Sequence, residues 1–149
     1  MRNKWKSVIA YLIYTIHLGA LIYFGIKDSF RILEKTCQNI YLGIILIGAA
    51  IYFSAYFKLG VKKSSGFGVD YSGLINSGIY KYVRHPQLLG WVTILVGISL
   101  YLNSLISLIL TFFLWLLFKM LIQPNEEKQL IEKYGNEYIR YKRKTRSGI

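Results

Sequence analysis

The chain has 149 residues, 54% of them hydrophobic, and a net charge of +12. A lone cysteine, Cys37, excludes an internal disulfide and a cysteine-based metal site, and no metal is expected. The charge would suit nucleic acid, but the basic residues are segregated between stretches almost free of charge, so no nucleic-acid partner is expected.

Four such stretches, residues 7–26, 40–59, 87–102 and 105–122, approach the roughly 20 residues that cross about 30 Å of hydrocarbon as helix. The expected fold is an all-α integral membrane protein of about four transmembrane helices, a single membrane domain over residues 1–149. With the N-terminus inside, only Lys27, Arg31 and Lys35 of the 19 basic residues fall on the outer side. That asymmetry places both termini in the cytoplasm, with anionic headgroups as partners of the remaining charge. A short chain without organelle signals points to a prokaryotic cell membrane.

The first stretch follows Arg2, Lys4 and Lys6, as a signal peptide would. Its apolar run is too long for one and lacks a small-residue cleavage pattern, so a transmembrane helix is expected. His17 within it is expected to be a neutral imidazole bonded to a neighbouring helix. A short polar connector over residues 28–39 carries Cys37, to which no function is given. In the second stretch Ala50 and Ser54 stand four apart, a small-residue spacing that lets helices approach closely.

Residues 60–86 form the one long polar loop, expected on the cytoplasmic side and functional by its length. Gly66-Phe67-Gly68 lacks the third glycine of a dinucleotide fingerprint, and no strand precedes it. The loop ends in Gly78-Ile79-Tyr80-Lys81-Tyr82-Val83-Arg84-His85-Pro86-Gln87. Proline is favourable in the first helical turn, so Arg84 and His85 should stand at a helix mouth, where free backbone N–H groups favour an anion. Equally, Arg84 would serve as an interfacial anchor and Pro86 as a plain helix start.

Only Asn103 and Ser104 separate the third and fourth stretches, which predicts a tight helical hairpin. After Gln123 and Pro124, a helical cytoplasmic tail over 123–149 is expected. Asn125 would be its N-cap, with Glu126 and Glu127 in the first turn. Leu130, Tyr134, Tyr138 and Tyr141 follow at helical spacing, and Gly135 predicts a break. The tail should lie at the membrane interface or fold back over the loop.

The paired pattern Gly-x-Tyr-x-x-x-Arg-His-Pro and Glu-Glu-x-x-Leu-x-x-x-Tyr-Gly-x-x-Tyr-x-x-Tyr resembles the isoprenylcysteine carboxyl methyltransferase family, membrane-embedded enzymes related to phospholipid N-methyltransferases. The likeness runs from about residue 59 to 144; the first two stretches match only in kind. It implies S-adenosylmethionine as cofactor, held by Leu74, Ile75, Tyr80, Arg84, His85, Pro86, Gln87 and Glu126. In that setting Glu126 can pair with the cofactor's ammonium, Arg84 or His85 with its carboxylate, and Tyr80 or Tyr82 can face its sulfonium. Arg84 and Glu127 are the candidate catalytic residues. The acceptor would be lipidic or a small apolar molecule. Two positions depart from the family pattern: Leu88 stands where it has tyrosine, and Ile122 where the prenylcysteine enzymes place a substrate-binding arginine. Two other identities fit the same residues: a non-catalytic membrane scaffold of the same fold, and an NADPH-dependent enzyme similar to sterol reductases.

Overall fold

The computed structural model describes residues 2–27, 38–59 and 73–148. The expectations for the connector, Cys37, Gly66 to Gly68 and the earlier part of the loop lie outside the described residues. Among those described, the chain is helical: α1 (Arg2–Lys27), α2 (Gln38–Leu59), α3 (Pro86–Tyr101), α4 (Leu105–Leu117), α5 (Gln123–Tyr134) and α6 (Asn136–Lys144). A 3₁₀ turn spans Gly78–Lys81, and one isolated parallel bridge joins Val83 to Arg146.

Two helices are long and apolar enough to cross a membrane, Gln38–Leu59 and the continuous run Leu105–Tyr134; Thr15–Lys27 and Pro86–Tyr101 are apolar but shorter. Large apolar side chains point outward along them, with Leu46 and Phe57 each 70% exposed and Met120 66%. A water-soluble surface rarely carries apolar patches on that scale.

Helices α2 and α3 meet backbone to backbone. A Cβ built on Gly48 would fall 2.9 Å from Gly90 O, and one on Gly90 would fall 2.5 Å from Tyr52 N. Both glycines are therefore required by space, and the gain is van der Waals contact along the whole pair. The small-residue pair expected to do this, Ala50 and Ser54, instead faces outward. Helical periodicity allowed either face, and the partner glycine on α3 decided it.

Polar side chains fasten the other contacts. Ser107 Oγ donates to Leu21 O at 2.9 Å, tying α4 to α1, and the Ser99 and Thr111 hydroxyls lie 3.4 Å apart between α3 and α4. Leu21, Leu95 and Leu114 form the apolar centre of this contact. Residues 102–104 join α3 to α4; Asn103 takes φ 54°, a conformation asparagine tolerates, and the Ser104 hydroxyl caps α4 by accepting from Ser107 N at 3.1 Å. Among the described residues, the expected bond from His17 to a neighbouring helix is not made at Nε2, a buried atom with no hydrogen-bond partner there.

The sequence predicts a new helix at Asn125, but the chain stays helical from Leu105 to Tyr134. A π-helical turn, Phe118–Ile122, leads into Gln123 and Pro124. Proline lacks an N–H and its ring clashes with the carbonyl four residues back; the wider π turn removes that clash without ending the helix. Asn125 is thus inside α5, its side chain donating to Leu121 O at 2.7 Å. The break expected at Gly135 is present, at φ 51° and ψ −128°, a conformation open to glycine. It turns α6 back onto the 3₁₀ turn, where Tyr141 donates to Tyr80 O at 2.6 Å.

Candidate functional site

The start of α3, the start of α5 and the end of α6 converge. Pro86 opens α3 with His85 as N-cap residue, φ −121° and ψ 60°, and this non-helical entry leaves Val83 and Arg84 to pair with the C-terminal segment. Arg84 N donates to Arg146 O at 2.9 Å beside the Val83–Arg146 bridge. The Arg84 guanidinium then takes three elements at once. Nε and Nη2 reach Glu127 Oε1 at 3.1 and 3.0 Å, while Nη1 reaches Lys142 O at 3.0 Å and Thr145 O at 2.8 Å. Gln123 adds a bond from Nε2 to Ser147 Oγ at 2.5 Å.

Glu127 is the centre of the charge. Lys142 Nζ stands 2.6 Å from Oε2, and His85 Nε2 stands 3.5 Å from Oε1. Burial alone would raise the Glu127 pKa, but hydrogen bonds from His85 and Lys142, with the charges of Arg84 and Lys142, outweigh it and bring it to about 2. Burial would likewise lower His85, but hydrogen bonds and charge from Glu126 and Glu127 raise it to about 9. The imidazolium sits between two carboxylates, with Nδ1 3.4 Å from Glu126 Oε2.

Arg84, His85 and Glu126 border a cavity of ≈ 50 Å³. Of the residues expected at the cofactor site, Leu74, Ile75, Tyr80, Arg84, His85 and Glu126 line it; Pro86 and Gln87 do not. Tyr82 points away, 68% exposed, with Lys81 Nζ 5.9 Å from its ring centre. The cavity adds Leu59, Leu130, Tyr138 and Tyr141. The sequence signal for three of these was present in the helical spacing of Leu130, Tyr138 and Tyr141, but spacing alone did not say which neighbour that stripe would meet. Leu59, at the end of α2, carried no signal.

The fold and site together define a helical membrane protein with a largely apolar pocket, edged by Arg84, His85 and Glu126, at the ends of its apolar helices. A family model described as "Phospholipid methyltransferase" matches residues 38–137. The chain belongs to this phospholipid methyltransferase family, and the relatives it resembles there are isoprenylcysteine methyltransferases. It is 32% identical over 117 residues to the protein-S-isoprenylcysteine O-methyltransferase of Schizosaccharomyces pombe, covering 75% of this chain and 49% of that protein. With the Saccharomyces cerevisiae enzyme of the same name it shares 42% over 77 residues, 51% of this chain and 32% of that one. Against that of Homo sapiens it shares 31% over 81 residues, 54% and 28%. The chain thus spans no more than about half the length of these relatives. The fold is similar to the solved structure of the eukaryotic intramembrane Ras methyltransferase ICMT, isoprenylcysteine carboxyl methyltransferase. The TM-score is 0.67 at 23% identity, over 99% of this chain and 50% of that one.

A methyl donor is what such a family requires, and the pocket has the polar groups to hold one. Glu126 offers a carboxylate, and the buried Tyr138 Oη makes no hydrogen bond among the described residues. Arg84 and Glu127, the candidate catalytic pair, are turned toward each other and the tail.

Proposed function

We propose that this protein transfers a methyl group from S-adenosylmethionine to a lipidic or small apolar acceptor at the cytoplasmic face of a membrane. The observation that carries this is the convergence of two motifs more than 40 residues apart in sequence, the Tyr-x-x-x-Arg-His-Pro turn and the Glu-Glu start of α5, on one cavity. Bound there, S-adenosylmethionine supplies an electrophilic methyl. The chain's own task is positioning and exclusion of water. Glu126 would hold the ammonium end and Tyr80 a face of the pocket, with Leu74 and Ile75 covering the apolar part. Arg84 and Glu127 hold α6 closed over the site through the Lys142 and Thr145 carbonyls.

The proposed topology has four crossings: α1, α2, α3 and the α4 part of the long helix, with α3 and α4 as a hairpin. Both termini and the site are cytoplasmic. The relatives are named for an isoprenylcysteine substrate. Ile122 stands where the resemblance places a substrate-binding arginine, so the acceptor assigned here is defined by its apolar character rather than by a carboxylate. Titration calorimetry of detergent-purified protein with S-adenosylmethionine, run beside NADPH, tests the assignment. Micromolar binding of the methyl donor alone is expected; binding of NADPH alone, or of neither by folded protein, overturns it.

A further inference from the structure

Tyr138 is 1% exposed and lines the cavity, yet its hydroxyl has no hydrogen-bond partner among the described residues. Buried polar groups are rarely left in that state, because each carries an uncompensated desolvation penalty. Its neighbour one turn on shows the usual outcome, since Tyr141 directs its hydroxyl to Tyr80 O at 2.6 Å. His85, also at the cavity, is already paired: Nε2 faces Glu127 Oε1 at 3.5 Å and Nδ1 faces Glu126 Oε2 at 3.4 Å.

Both groups are donors. Burial, and then the charge of Glu127, raise the pKa of Tyr138, so its hydroxyl keeps its proton, and His85 is held protonated between its carboxylates. Beside them Glu126 meets His85 Nδ1 at 3.4 Å, which leaves its other oxygen to accept from a ligand cation. Arg84, the obvious alternative for an anion, is committed to Glu127 and two tail carbonyls. One buried donor without an acceptor among the described residues, next to one carboxylate with a free oxygen, is complementary to a group bearing both a carboxylate and an ammonium. That group is the α-amino-acid end of a ligand.

We infer that the Tyr138 hydroxyl is a ligand-binding group of this site, donating a hydrogen bond to the carboxylate of the bound methyl donor's amino-acid end while Glu126 takes its ammonium. This rests on the methyl-donor assignment above. It gives α6 a role beyond covering the site, because the strap then carries a contact to the ligand it encloses. It also explains the unfilled hydroxyl as affinity for the ligand held at the expense of the empty protein's stability.

The test is Tyr138→Phe, which removes one oxygen and keeps the ring. Three quantities are measured on detergent-purified full chain: thermal stability without ligand, affinity for S-adenosylmethionine, and affinity for its decarboxylated form, which retains sulfonium and ammonium. Expected are an unchanged or higher Tm, a loss of affinity for S-adenosylmethionine of roughly tenfold or more, as for one hydrogen bond to a charged group, and no loss for the decarboxylated form. Equal affinity of variant and wild type for S-adenosylmethionine overturns the inference while the methyl-donor assignment stands. So does an equal loss with both ligands, or a fall in Tm, each of which makes Tyr138 a packing residue. Failure of the wild type to bind either ligand overturns the methyl-donor assignment and this inference with it.

Discussion

Replacing Arg84 by alanine should release the tail without unfolding the helices. The side chain is 11% exposed and Glu127 9%, so the pair is largely out of water. Breaking a buried ion pair by removing one partner costs about 3–5 kcal/mol. Lys142 at 2.6 Å and His85 at 3.5 Å still face Glu127 in the variant, which puts the expected loss at the low end, about 3 kcal/mol. The Lys142 and Thr145 carbonyls lose their donor in the same step. About 3 kcal/mol is roughly a 100-fold change in an opening equilibrium, at 1.36 kcal/mol per decade. Hydrogen exchange by mass spectrometry reads it directly: amides of residues 136–148 should exchange roughly 100-fold faster, while those of α3 stay protected. Arg84→Lys should recover only part of the protection, because an ammonium cannot span Glu127 and two carbonyls as the planar guanidinium does. Unchanged exchange over 136–148 in Arg84→Ala would refute the reasoning, and so would equal loosening of α3.

The remaining predictions use other parts of the structure. Folded-state pKa values set a pH window for tail attachment. His85 is raised from 6.5 to about 9, so its contribution is full below pH 6.5 and lost as pH rises through 9. Glu127 is lowered from 4.5 to about 2, so its contribution is full above pH 4.5 and lost as pH falls through 2. Stability against pH should therefore peak between those limits and decline on the alkaline side; His85→Gln should flatten that decline, and an unchanged profile would contradict the assignment. Glu126→Gln should weaken S-adenosylmethionine binding by about 1.5–3 kcal/mol, the scale of a charged hydrogen bond, with calorimetry as the measurement and equal affinity as the refuting result. Gly90→Ala places a methyl 2.5 Å from Tyr52 N and should destabilise by about 1–3 kcal/mol, the usual range for overpacking. A thermal melt matching the wild type would show that α2 and α3 can separate freely.

How much of the site was legible depended on which residues were read. The Arg84-His85-Pro86 turn and the Glu126-Glu127 pair announced themselves through local chemistry, a proline that starts a helix and acids near a helix start. Their meeting also matched a family pattern. That Glu127, and not Glu126, takes the Arg84 and Lys142 ion pairs was not legible. Adjacent carboxylates on a helix point in different directions, and only the arrival of Lys142 from α6 at 2.6 Å commits one of them to an ion pair. Asn125 was misplaced as an N-cap because Pro124 ordinarily ends a helix, and the π turn that accommodates it has no sequence marker.

Composition and periodicity sufficed for the all-helical class, the apolar segments and the break at Gly135, because each follows from properties of neighbouring residues. Which small residues pack, which tyrosine faces the pocket and which cation holds which carboxylate were decided only by the tertiary structure. Those outcomes depend on groups far apart in sequence, such as Gly48 with Gly90 and Arg84 with Thr145. No local rule carries the distance between them; packing of the helices does.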